Sequence, residues 1–214
     1  MNYIVSGLER SGTSLMMQML EKGNFPVSYN TNRKADEGNP HGYYELFDGK
    51  IIHKLMKGEL DFNEYDEKAI KITAYGLKFL PRGSYKIIFM TRNMKEIAMS
   101  NKVLIESKTL DIDKVIKSNT KLLNFIVDII DNRKDIDVIY VNYNDIINNP
   151  MKEAKRISEF LGDLDVAGAV TAVDSKLYRN REEEIQSATS VSAFEMTEDE
   201  EKRIKERLKK LGYL

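Results

Sequence analysis

Four short runs of the chain are apolar at nearly every position: residues 3–6, 69–73, 85–91 and 137–142, each rich in Ile, Val, Tyr or Phe. Runs of this kind predict strands buried on both faces, the habit of a parallel sheet. Between and after them, apolar residues recur every three or four positions, which predicts helices over 13–22, 45–57, 94–107, 113–132 and 150–161. The alternation predicts an α/β domain of three layers, a central parallel sheet with helices on both faces. Residues 25–29 are a weaker strand candidate.

Punctuation sharpens several ends. Asn149 before Pro150 offers an N-cap and a first-turn proline, and Gly162 suits the left-handed position after Leu161. Ala154, Ile157, Phe160 and Leu161 then form the buried stripe of that helix. Thr197 with Glu200 reads as a capping box opening a last helix, with Ile204, Leu208 and Leu211 on one face. The least regular stretch is "NTNRKADEGNPHGYY", residues 30–44. A structureless loop of that length is uncommon in a small domain unless it has a function of its own. A second polar stretch covers residues 180–192.

Composition narrows the classes. With 214 residues, 42% of them apolar and 31% charged, the chain suits one globular domain. A net charge of -1 gives no global pull toward nucleic acid or an anionic membrane, so an anion site has to be local. The chain has no cysteine, which excludes disulfides and thiolate metal sites, and only two histidines, His41 and His53. No run approaches ~18 uninterrupted apolar residues, and the first strand begins by Tyr3. The expectation is a soluble, cytoplasmic protein with no membrane span.

The most informative segment is "YIVSGLERSGTSLMMQML", residues 3–20. It predicts a strand, a turn with two glycines four residues apart, and a helix. Gly7 to Ser14 has the spacing of a phosphate-binding loop, which makes the domain P-loop NTPase-like, but Thr13 stands where the lysine belongs. That lysine normally reaches the outer phosphates of a nucleoside triphosphate, so a nucleotide kinase or nucleotide-binding module is the lesser reading. A helix N-terminus with unpaired N–H groups and a positive dipole end still attracts an anion. Arg10 adds a planar fork of donors, and Ser11, Thr13 and Ser14 add hydroxyls.

A second segment, "YKIIFMTRNMKEIAMS", residues 85–100, places Arg92 at a strand's carboxyl end and Ser100 eight residues on, in a helix. Ligands of open α/β sheets sit beyond such ends, so Arg92 is directed toward the same crevice as the first loop.

These segments resemble the sulfotransferases that use 3'-phosphoadenosine-5'-phosphosulfate. The family's loop is similar to "GxPRSGTS/T"; here it reads "GLERSGTS", with Glu9 at the proline position. Its second segment, "RDPxDxxxS", keeps the arginine-to-serine spacing here, with Asn93 and Met94 in place of Asp-Pro. "VIYVNYNDIINNPMKEAKRISEFLG" resembles the family's "YEDL...P...FLG", with Tyr143, Asp145, Pro150, Phe160 and Gly162 in step and Tyr143 read as a packed strand-end residue. "VDSKLYRNR" resembles a terminal segment of bacterial members and offers Arg179 and, less directly, Arg181. The family's tryptophan-containing loop has no counterpart, since the chain lacks tryptophan.

The resemblance implies in-line transfer of a sulfuryl group from that donor to a hydroxyl or amine, releasing adenosine 3',5'-bisphosphate and requiring no metal. It implies that Arg10, Ser11, Gly12, Thr13 and Ser14 hold the 5' side, with Arg10 also stabilising the transferring group. Arg92 and Ser100 would take the 3'-phosphate, with Arg179 a further contact. Lys71, an otherwise costly cation in the apolar run "AIKIT", resembles the lysine of the family's "KDP" or "KSP" segment and would meet the sulfate or the acceptor.

A hydroxyl acceptor needs a base, and Asp36, Glu37, His41, Glu45 and His53 are the candidates. Glu45 is favoured, because Asn-Pro-x-Gly-x-x-Glu resembles a bacterial segment whose glutamate faces the acceptor; burial would have to raise its pKa. The plainer alternative is that Glu45 caps the next helix. His41 stands second, its pKa needing less tuning. His53 falls inside a helical pattern and reads as packed or solvated. A sulfotransferase-like fold that binds the nucleotide without transfer remains a third reading. The acceptor's class (sugar, lipid head group, small phenol or peptide) and the oligomeric state are left open by the sequence.

Overall fold

A computed structural model describes residues 1–30, 42–104 and 111–174. Strands β1 (Asn2–Gly7), β2 (Ala69–Lys71), β3 (Tyr85–Thr91) and β4 (Ile136–Asn142) form one sheet in the order β2-β1-β3-β4. All three pairings are parallel, with Val5 opposite both Lys71 and Ile88, and Thr91 opposite Asn142. Successive residues of a strand point to opposite faces, and here both faces are covered, which is why the runs carry no polar alternation.

Seven helices accompany the sheet among the described residues: α1 (Thr13–Lys22), α2 (Ile51–Lys57), α3 (Met94–Leu104), α4 (Ile112–Asp131), α5 (Tyr143–Asn148), α6 (Pro150–Leu161) and α7 (Val166–Val170). On one face Ile4, Ile87 and Phe89 pack with α2, α3 and α4 through Leu55, Ile97, Leu123 and Ile126. On the other, Val5, Ile88, Met90 and Val141 pack with α1, α5, α6 and α7 through Met16, Met19, Ile146, Ile157 and Ala169. The three-layer expectation is met. The chain leaves β1 for β2 on one side and then crosses to β3 on the other. The carboxyl end of β1 is therefore the point where strand order reverses, the customary ligand position of such sheets.

Several expected boundaries move. Residues 25–29 make only an isolated bridge, Val27 to Ala69, because Pro26 has no N–H to give a ladder; its carbonyl accepts from Ala69 instead. β2 stops at Lys71, since Thr73 opens a 3₁₀ segment, Ala74–Phe79, where a crossover helix would normally stand. The helix expected over 45–57 begins only at Ile51. Ahead of it Phe47–Gly49 make a 3₁₀ turn interrupted by left-handed backbone at Phe47 (φ 54) and Asp48 (φ 50), which keeps the helix from starting earlier. Asn149 precedes Pro150 as expected but makes no side-chain cap bond; only its carbonyl serves, accepting from the Glu153 N–H. Gly162 takes the predicted left-handed φ, 98°. The C-terminal helix read from Thr197 and Glu200 lies outside the described residues.

Candidate active site

The loop after β1 is built by two close backbone approaches. A Cβ on Gly7 would stand 2.5 Å from the Met90 carbonyl and 2.5 Å from Ser11 Oγ, and one on Gly12 (φ 100) 2.5 Å from the Tyr143 ring. Between them Arg10 holds φ 69, uncommon for a residue with a side chain. Ser11 faces inward: its Oγ and its N–H both donate to the Leu8 carbonyl, at 2.7 and 3.2 Å, and it has no exposed surface. Its expected ligand-facing hydroxyl is thus used as a brace in this arrangement. The N-cap residue of α1, Gly12, has no side chain to cap the helix, whose first-turn N–H groups carry the partial positive charge of the helix end. Glu9 is exposed to solvent.

Beyond β3, α3 supplies a linked cluster. Glu96 and Ser100 are one turn apart on the same face. Arg92 Nε donates to Glu96 Oε2 at 2.8 Å, with the two side chains 8% and 1% exposed. The guanidinium carbon of Arg92 lies 4.4 Å from the centroid of the Tyr143 ring, and its Nη1 donates to the Arg10 carbonyl at 3.3 Å. Arg10 Nε in turn donates to Ser100 Oγ at 2.9 Å. Arg10, Arg92 and Ser100 therefore stand in one hydrogen-bonded group at the sheet's carboxyl edge. Asn93 caps α3, its Oδ1 accepting from the Lys95 N–H at 2.8 Å, a task for which aspartate and asparagine are equally suited.

A third group lies at the tip of β2. Lys71 is buried, donates to the Tyr43 carbonyl, and has its Nζ 3.7 Å from Glu45 Oε1. Ser14 Oγ donates to the same carbonyl at 3.5 Å, which joins the start of α1 to this group. The N-cap residues of the 3₁₀ turn and of α2, Leu46 and Lys50, make no side-chain cap bond. His53 is exposed on α2. Asp36, Glu37, His41, Arg179 and Arg181 lie outside the described residues.

Sequence reasoning missed two members. Glu96 could have been found, since it stands four residues after Arg92 at a spacing that pairs charges on a helix. Tyr143 was read as packed, which it is; that it packs on Arg92 and Gly12 depends on the register of β4 against β3.

Arg10 and Arg92 stand at the switch point of a parallel sheet beside the N-terminus of α1, and buried Lys71 stands at the tip of the neighbouring strand. The sulfotransferase domain model matches residues 2–210, and the chain belongs to that family, as its motifs suggested. No curated protein matches it by sequence. Among solved structures, it is similar to the sulfotransferase domain from the curacin biosynthetic pathway, at 12% identity, TM-score 0.55, covering 97% of this chain and 96% of that one. It is also similar to the sulfotransferase domain of the Synechococcus PCC 7002 olefin synthase, at 16% identity, TM-score 0.55, covering 98% and 94%. Retinol dehydratase, solved with androsterone and the inactive cofactor PAP, matches at 12% identity, TM-score 0.51, covering 98% and 80%. These likenesses establish the shared α/β fold. No helix among the described residues is long and apolar enough to cross a membrane.

Proposed function

We propose that the protein transfers a sulfuryl group from 3'-phosphoadenosine-5'-phosphosulfate to a hydroxyl or amine acceptor. The observation that carries this reading is the continuous chain Glu96–Arg92–Arg10–Ser100, which sets two guanidinium groups and a hydroxyl beside a glycine loop that lacks the triphosphate-binding lysine. A bisphosphorylated adenosine needs positive charge at two separate phosphates, and the arginine cluster and the N-terminal end of α1 fit that demand. Arg92 and Ser100 would hold the 3'-phosphate. The first turn of α1, with Gly12, Thr13 and Ser14, would hold the 5' side, and Arg10 reaches from that loop to Ser100.

The donor supplies an activated sulfuryl group attached to a good phosphate leaving group. The chain's part is to orient the reactants in line and to oppose charge building on the transferring oxygens and the leaving oxygen. Glu45 would accept the acceptor's proton, and Lys71, held beside it by the Tyr43 carbonyl, would offer positive charge to the sulfuryl oxygens. A kinase reading is disfavoured by Thr13 at the lysine position.

Thermal unfolding tests the donor. Adenosine 3',5'-bisphosphate at about 100 times its Kd should add about 2.7 kcal/mol, raising Tm by roughly 5–10 °C for a chain of this size. ADP or GTP with Mg²⁺ should add little, and equal stabilisation by these would overturn the reading. Incubating a metabolite extract with the donor and following sulfated products by mass spectrometry tests transfer, which Glu45→Ala should abolish. Stabilisation without any product identifies a binding protein that has lost the chemistry.

A further inference from the structure

The backbone around Glu45 is strained. Tyr44, Phe47 and Asp48 hold φ values of 52, 54 and 50, a left-handed conformation that side chains disfavour, and Gly49 follows at φ 83. Such a stretch persists only where its surroundings over-determine it. Glu45 sits inside it, with its carboxylate against Lys71.

What holds the stretch lies outside the anion-binding loops, at the last turn of α1. Glu21 Oε2 accepts from the Tyr44 hydroxyl at 2.5 Å, and Glu21 Oε1 accepts from the Tyr29 hydroxyl at 2.9 Å. The two rings meet at 4.6 Å between centroids. Just beyond, the Asn30 N–H donates to the Glu45 carbonyl at 3.0 Å, and the Phe47 N–H donates to Asn30 Oδ1 at 2.6 Å. Both ends of the long irregular segment are thereby tied to each other and to one carboxylate. Burial, then the Glu21 carboxylate, push the Tyr44 phenol up, and the Glu21 bond does the same for Tyr29, so both remain donors across the ordinary pH range.

We propose that Glu21 is a positioning residue: its two carboxylate oxygens pin Tyr29 and Tyr44, fixing the strained turn that sets Glu45 and the Tyr43 carbonyl against Lys71. The inference rests on the reading of Glu45 and Lys71 as the acceptor-side pair for its functional meaning, but its geometry is testable without any acceptor. A glutamine has one acceptor oxygen and cannot serve both phenols in the same way.

The experiment measures lysine acylation by an N-hydroxysuccinimide ester of acetate, read peptide by peptide by mass spectrometry on the full chain. Lys86 is the internal control, a half-buried lysine that donates to the Phe160 carbonyl at 2.7 Å away from this turn. In Glu21→Gln, acylation of Lys71 should rise by about tenfold, the factor set by losing one charge-assisted hydrogen bond. Lys86 should react at its wild-type rate. Tyr44→Phe, which removes only a hydroxyl from a ring that stays packed, should reproduce the effect and keeps the test available should Glu21→Gln unfold. An unchanged Lys71 rate in either folded variant, or a parallel rise at Lys86, overturns the proposal, the latter showing general loosening only. Failure of the bisphosphate to stabilise the wild-type protein would instead contradict the sulfotransfer reading and leave the lysine result to decide this one.

Discussion

Arg92→Ala should damage the protein in two separable ways. Glu96 is 1% exposed and pairs with the Arg92 guanidinium among its contacts, 2.8 Å away and itself 8% exposed. Removing one member of a buried pair leaves the other's charge poorly compensated and costs about 3–5 kcal/mol. Loss of the guanidinium from the Tyr143 ring, 4.4 Å from its centroid, adds a smaller amount. For a chain of 214 residues, 1 kcal/mol moves Tm by about 2–4 °C, so a fall of roughly 6–20 °C is expected. Arg92→Ala/Glu96→Leu removes the buried carboxylate as well and should recover much of that fall, because replacing a whole buried pair with apolar groups is near neutral. Binding should not recover, since the phosphate's partner is gone from both variants. Circular dichroism melts of the two variants and calorimetric titration with adenosine 3',5'-bisphosphate provide the readings. A double variant that melts no higher than the single one would refute the idea that Glu96 depends on Arg92.

Gly12→Ala should cost about 2 kcal/mol or more, because alanine is strained at φ 100 and its Cβ would meet the Tyr143 ring at 2.5 Å; the thermal shift from the bisphosphate should vanish with it. Far from the site, Arg133 Nη2 bonds Asp135 Oδ2 at 2.5 Å, and that bond, helped by the Gly83 N–H, holds the Asp135 carboxyl below the usual carboxylate range. A depressed native pKa gives stability that is present above the unfolded value, about 3.9, and lost as the pH falls toward the native one. The Tm gap between wild type and Asp135→Asn should therefore be widest near neutral pH and shrink below about pH 4; a gap that stays constant into acid would contradict this.

The sheet was legible because a strand buried on both faces has to be apolar throughout, and Ile87, Ile88, Phe89 and Met90 leave no other assignment. The first loop was legible because its two glycines answer to close contacts that any side chain would break. What escaped was imposed from a distance. Nothing local in "ELFDGK" announces left-handed backbone at Phe47 and Asp48; the bonds from Asn30 and Glu21 that secure it come from residues more than a dozen positions away. Lys71 stood out as a cation in an apolar strand, yet its partners Tyr43 and Glu45 belong to a segment whose path no periodicity describes. Helices α5 and α7 are too short to carry a helical repeat.

The most direct measurement is calorimetric titration of the wild-type protein with adenosine 3',5'-bisphosphate and, in parallel, with 5'-AMP. If Arg92 and Ser100 receive a 3'-phosphate, the bisphosphate binds at least about tenfold more tightly, the gain expected of a charge-assisted contact, and Ser100→Ala narrows the difference. Equal affinity for the two nucleotides would mean that the arginine cluster beside α3 recognises something else.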